Sequence, residues 1–272
     1  MELKGLGTQS RQRLSRLLRA QATLITPEAA ARHLGLGRTQ AAHELARWAR
    51  AGWLARVRRG AYAPIALHAT SANIALEDAW VVAESLFAPC YIGGWSAAEH
   101  WGLTEQIFRS VCVITASRPR KRTQQLRGTE FSLRSTRPNN LFGTQSVWRN
   151  RVRVSVSDPA RTILDMLSDP SLGGGIRPVA DMLGEFFREH RRLAPKLIDY
   201  GVRLENGAAF KRLGFMLAHS HPGERELIEA CRANLTTGYA KLDPKLASDT
   251  LITAWHLWIP SSWKTRRVDP RP

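Results

Sequence analysis

The sequence predicts an α+β protein in two parts, a small helical unit ending in a basic hairpin and then a mixed α/β body. Three observations carry this. Apolar residues recur at spacings of three and four up to Ala51; short β-branched and alternating runs follow between Pro89 and Val156; and beyond Ser157 the pattern turns helical again. The boundaries are expected at 1–66 for the first unit and 70–260 for the body, with 261–272 read as a frayed tail. At 272 residues, 43% apolar and 23% charged, the chain can bury a sizeable core.

The first helix is expected from Arg11 to Ala20, with Leu14, Leu17 and Leu18 on one stripe. Thr26 caps a second helix, Pro27 suits its first position because the missing N–H would be unpaired there, and Gly35 ends it. After a short turn at Leu36–Thr39, Thr39 to Ala51 forms the third, stopped by Gly52. At about 100° per residue, Ala41, Leu45, Trp48 and Ala49 share one stripe, while Thr39, Gln40, His43, Arg47 and Arg50 lie opposite. Trp53 to Pro64 then reads as two strands turning at Arg58–Gly60.

Three helices and a basic hairpin resemble a winged helix-turn-helix, in which the third helix enters the major groove and the hairpin reaches the backbone or minor groove. The residue types suit double-stranded DNA. Arg38, Thr39, Gln40, His43, Arg47 and Arg50 are the candidates on the helix: arginine can bind guanine or phosphate, and glutamine can bridge the adenine edge. Arg56, Arg58 and Arg59 on the hairpin would add sequence-independent affinity.

In the body, His68–Ser71 is a plausible linker, Thr70 or Ser71 caps a helix from Asn73 to Phe87, and Pro89–Ile92 is a short strand ended by two glycines. Ser96 is expected to cap a helix through Trp101. Strands follow at Val111–Thr115, Glu130–Arg134 and Arg151–Val156. Asp158 caps and Pro159 opens the next helix, to Leu167; others are read at Val179–Glu189, Ala194–Tyr200, Ala208–Ala218 and Gly223–Asn234.

Several blocks occur in a familiar order: Arg58–Tyr62; Tyr91-Ile-Gly-Gly-Trp-Ser-Ala97 with Trp101-Gly-Leu-Thr104; Val156-Ser-Asp-Pro-Ala-Arg-Thr-Ile-Leu-Asp165; and Phe210-Lys-Arg-Leu-Gly-Phe215. The chain resembles the AbiEi-type antitoxins of abortive-infection (type IV) toxin–antitoxin systems. That resemblance implies a bacterial autorepressor whose winged helix binds inverted repeats in its own promoter and whose C-terminal domain counteracts a nucleotidyltransferase-like toxin. Only the third-helix and hairpin positions are carried over as DNA-binding. Asp158 reads as a cap, and Arg161 with Asp165 as local i,i+4 partners. The stretch after about Ala240 has no family counterpart.

Charge sharpens this reading. The net charge of +17 is concentrated: residues 1–68 hold 12 Lys/Arg and 3 acids, residues 118–153 hold 10 and 1, and the remainder is near neutral. Both segments call for a polyanion. In the second, Arg118, Arg120, Lys121, Arg122, Arg149, Arg151 and Arg153 form a candidate patch for DNA backbone or for a partner.

No enzyme is expected, and no catalytic, cofactor or metal residues are assigned. The alternatives are a plain winged-helix regulator without a toxin partner or a metal-dependent nuclease. The acids, among them Asp158, Asp165, Asp181, Glu185, Asp199 and Glu205, are dispersed rather than clustered as cation binding requires. His219-Ser-His221 reads as a helix end, and Gly173–Gly175 as a turn lacking the lysine of a phosphate loop. Cys90, Cys112 and Cys231 lie in apolar runs and are expected to be buried. Neither a signal peptide nor a membrane span is expected, so the protein is placed in the cytoplasm.

Overall fold

The computed structural model describes residues 7–20, 24–58, 60–64, 78–126, 128–149 and 152–264, with the side chain of Arg58 excepted. The N-terminal unit holds α1 (Thr8–Ala20), α2 (Pro27–Leu34), α3 (Arg38–Arg50) and the antiparallel hairpin β1 (Leu54–Arg58) and β2 (Ala61–Pro64). The ends of α2 follow the sequence reading, whereas α1 begins at Thr8 rather than Arg11 and α3 spans Arg38–Arg50 rather than Thr39–Ala51. The Thr26 side chain accepts from the Ala29 N–H, Pro27 opens α2, and Gly35 closes it in the left-handed conformation at φ 66°. Between α1 and α2, Ile25 adds a single antiparallel bridge to Tyr62, with N–H to O distances of 2.7 and 2.9 Å in the two directions. Leu14, Leu17, Ile25, Leu45, Trp48, Leu54 and Tyr62 pack as a core of this unit.

The body starts with α4 (Ala79–Phe87). Asp78, extended at φ −146°, caps it by accepting from the N–H groups of Trp80 and Val81, so this helix begins later than the expected Asn73. The expected linker and the expected caps Thr70 and Ser71 lie outside the described residues. Next come β3 (Cys90–Ile92), α5 (Gly94–His100), β4 (Ser110–Thr115), β5 (Thr123–Leu126), β6 (Thr129–Ser135), β7 (Thr144–Arg149) and β8 (Val152–Ser157). They form a six-stranded sheet in the order β5-β6-β4-β3-β8-β7, parallel at β6–β4 and β3–β8 and antiparallel elsewhere.

Both faces of the sheet are covered, and the strands divide by alternation. Cys90, Ile92, Val113, Phe131, Val154 and Val156 pack with α4, and Leu24, Val57 and Ala61 of the N-terminal unit join this cluster. Tyr91, Cys112 and Ile114 face the helical layer. That layer comprises α6 (Pro159–Ser168), α7 (Ile176–Glu189), α8 (Pro195–Leu204), α9 (Gly207–Ser220) and α10 (Arg225–Ala233). Ser96 does not cap α5. Gly93 precedes that helix without a side-chain cap, and the Ser96 hydroxyl accepts from the Cys112 N–H at 2.9 Å, tying α5 to β4.

The region after α10 is ordered where the sequence offered no element. β9 (Ala240–Lys241), β10 (Thr250–Ile252) and β11 (Leu257–Ile259) make a three-stranded sheet, and a short 3-10 turn spans Ser261–Trp263, inside the expected tail; residues 265–272 are outside the described set. The block Phe210–Phe215 explains the anchoring. Arg212 donates to the carbonyls of Leu167, Ser168, Lys241 and Leu242, and Lys211 to the Thr236 hydroxyl and the Gly238 carbonyl. Gly214 admits the ring of Trp255, which a Cβ would meet at 2.1 Å. Gly214→Ala is expected to cost about 1–3 kcal/mol by overpacking, read from the urea midpoint.

All three cysteines are buried and free. Burial pushes the Cys90 and Cys231 thiols up to about 12 and Cys112 higher than its ordinary value. At pH 8 the thiolate fraction is negligible, so iodoacetamide is expected to label none of the three until the protein is unfolded; mass spectrometry checks this.

Candidate nucleic-acid interface

The structure gives α3 two distinct sides. Ala41, Leu45 and Trp48 are buried, while Arg38, Thr39, Gln40, His43, Arg47 and Arg50 are exposed. Leu36 and Gly37 carry the chain from the left-handed Gly35 into α3, and the Leu36 N–H returns to the Ala31 carbonyl at 3.1 Å. This fixes the angle at which the exposed side is presented.

The exposed cations differ in how they are held. Arg38 pairs with Glu28 across the turn at 2.7 Å, and the Glu28 carboxyl lies below its ordinary value, chiefly through a backbone hydrogen bond at its own residue and then through Arg38. Arg47 donates to Glu44 at 2.6 Å and to the Ser10 hydroxyl at 3.0 Å; the same hydroxyl accepts from the Trp48 indole at 2.8 Å. Arg47 therefore fastens α1 to α3 before any ligand arrives. Sequence spacing cannot show this, because Ser10 lies outside the helical pattern that was read from Arg11 onward. Among the described residues, no ion-pair or hydrogen-bond partner engages the side chains of Thr39, Gln40, His43 or Arg50.

In the hairpin, Arg56 is exposed and stands opposite Tyr62, and Gly60 takes φ 76° at the turn. Arg59 and the Arg58 side chain lie outside the described residues.

The second basic segment is divided. Arg118, Arg120, Lys121 and Arg122 occupy the loop leading into β5 at one edge of the six-stranded sheet. Arg149 and Arg153 lie on β7 and β8 at the other edge, and Arg151 is outside the described residues. Arg149 sits over the Trp80 ring at 4.3 Å and 3.9 Å from Asp78, while Arg153 donates to Ser146 at 2.5 Å and stands opposite the exposed Trp148. Neither β5 nor β7 was read from the sequence. Thr-Gln-Gln-Leu and Thr-Gln-Ser-Val-Trp-Arg are edge strands whose exposed positions blur the alternation.

Residues 12–65 match the family model described as transcriptional regulator, AbiEi antitoxin. The matched segment runs from within α1 to just past β2, and so contains the whole of α3 and the hairpin. The crystal structure of the RV2827C protein from Mycobacterium tuberculosis shares the fold over 94% of this chain and 93% of its own, with a TM-score of 0.62 and 16% identity. No curated protein matches the chain.

Two carboxylates of the body, Asp158 and Asp165, are committed to structure. Asp158 accepts from the Arg161 N–H at 2.8 Å and the Tyr200 hydroxyl at 2.9 Å, capping α6. Arg161, 1% exposed, pairs with Asp165 at 2.8 Å, donates to the carbonyls of Phe142 and Asn140, and bonds the Tyr91 hydroxyl, which donates to Asp165. Among the described residues no three His, Cys, Asp or Glu side chains stand together as a metal site. His219 is exposed and His221 follows the end of α9. Among the described residues no helix is long and apolar enough to cross a membrane.

Proposed function

We propose that the N-terminal unit acts as a winged helix-turn-helix that represses the protein's own operon in the cytoplasm by binding inverted repeats in its promoter. On this reading the body counteracts a nucleotidyltransferase-like toxin of an abortive-infection, type IV system. The observation that carries the DNA reading is the exposed side of α3, where Thr39, Gln40, His43 and Arg50 stand unengaged on a helix locked from behind by Trp48 and Leu45. The Ile25 bridge supports it, since it turns the hairpin into a small sheet that braces a wing against the helices.

Within this proposal the N-terminal half of α3 meets base edges. Gln40 and His43 lie about one turn apart and are the readers, with Thr39 beside them; Arg50 and Arg56 bind phosphate. Arg47 positions α3 through Ser10 and Glu44. Footprinting of the DNA upstream of the gene tests this, with a protected inverted repeat expected. Arg56→Ala is expected to weaken binding about equally on all sequences and to lower the slope of log K against log salt by about 1.

The antitoxin role rests on the family match and is tested by co-expression with the adjacent gene. A full-length α3 variant that no longer binds DNA is expected still to rescue growth, which separates neutralisation from repression. We read the protein as a binder rather than an enzyme because Asp158 and Asp165 are spent on a cap and an ion pair. Plasmid incubated with magnesium or manganese should stay intact.

A further inference from the structure

A second basic feature of the molecule is concave. Where β4 leaves the sheet and β5 returns, a groove of about 770 Å³ is lined by Arg118, Arg120 and Lys121, and no acid lines it. Its floor is apolar, from Leu86 and Phe87 at the end of α4, and Phe87 is held against Phe131 with ring centroids 5.5 Å apart. Gln124 of β5, opposite Phe131 on the adjacent strand, stands on the same face of the sheet as this floor. Among the described residues, no ion-pair partner engages the three cations.

The loop is fixed at its root. The Thr115 hydroxyl donates to the Phe87 carbonyl at 2.6 Å and accepts from the Ser117 N–H at 2.9 Å, while the Ser117 hydroxyl donates to the Ala88 carbonyl at 3.2 Å. Pro119 restricts the backbone between the two arginines. The backbone that carries the three exposed cations is thus anchored beside the floor.

We infer that this groove takes an unpaired nucleotide of a single-stranded nucleic acid, with phosphates on Arg118, Arg120 and Lys121 and the base against Leu86 and Phe87. Three cations without a facing acid favour an anionic ligand. The apolar floor and the Gln124 amide add what a duplex backbone cannot use: a surface for a base face, and a donor and an acceptor for its edge. In a duplex the bases are stacked and paired, so only a single strand can turn one into the groove. The site lies at a sheet edge of the body and is independent of α3.

The test uses the full-length protein, fluorescein-labelled 12-nucleotide RNA and DNA of mixed sequence, and a random 12-base-pair duplex, read by fluorescence anisotropy. The wild type is expected to bind a single strand of either kind more tightly than the random duplex. The Arg118→Ala/Arg120→Ala/Lys121→Ala variant should raise the single-strand Kd by about tenfold or more while leaving affinity for the protein's upstream DNA within about threefold. Gln40→Ala should do the reverse. Circular dichroism confirms that the triple variant is folded. The inference is overturned if the wild type prefers the random duplex, or if the triple variant loses single-strand and upstream-duplex affinity equally, which would make the loop a duplex contact.

Discussion

Arg161→Ala is expected to lower stability by about 3–5 kcal/mol, measured from urea midpoints at constant slope. The guanidinium is buried among Asp165, Tyr91 and two carbonyls, and its plane lies over the Phe142 ring at 4.3 Å. Removing it leaves the Asp165 carboxylate buried without its cation and strands the carbonyls of Asn140 and Phe142. The loss comes chiefly from those orphaned groups, because the net worth of a buried pair is small once desolvation is counted. Arg161→Met/Asp165→Leu should therefore lose clearly less than the sum of the two single variants. Equal losses, or a single-variant effect below 1 kcal/mol, would show that the network does not hold β3 to α6.

Gln40→Ala and His43→Ala are each expected to cost about 1–3 kcal/mol of specific DNA affinity while changing non-specific affinity little. Both side chains are exposed on α3, and Trp48 and Leu45 anchor the helix behind them, so truncation removes contacts without disturbing the core. Arg47→Ala behaves differently. It releases Ser10 and Glu44, so it should lower the stability of the N-terminal unit together with its DNA affinity. Thermal melting separates the two kinds of variant.

The parts of the fold written in local chemistry were legible in the sequence. Thr26-Pro27 and Asp158-Pro159 announce helix starts through a capping oxygen and a proline that needs no donor, and both caps form. The cationic side of α3 follows from its period. What could not be read depends on contacts distant in the chain. Ser96 looks like a cap but bonds β4, because two glycines already turn the chain into α5. α4 starts at Ala79 rather than the expected Asn73, because the Asp78 side chain accepts from the Trp80 and Val81 N–H groups.

The C-terminal sheet was missed since β9 to β11 are two or three residues long and are held by Arg212, Lys211 and Trp255 rather than by their own pattern. For the candidate site, the sequence identified the exposed residues of α3 but not which of them are already engaged. Arg47 differs from Arg50 only through Ser10 and Glu44. The second basic segment read as one patch because charge was counted along the chain, whereas the strand order puts its two ends at opposite edges of the sheet.

The most direct measurement is a mobility shift of the full-length protein on the DNA upstream of its own gene, against a scrambled duplex of equal length, at two salt concentrations. Wild type should retain the upstream duplex at the higher salt while losing the scrambled one, and Gln40→Ala/His43→Ala should bind the two alike. Equal binding of both duplexes by the wild type, or an unchanged preference in the double variant, would contradict sequence reading by α3.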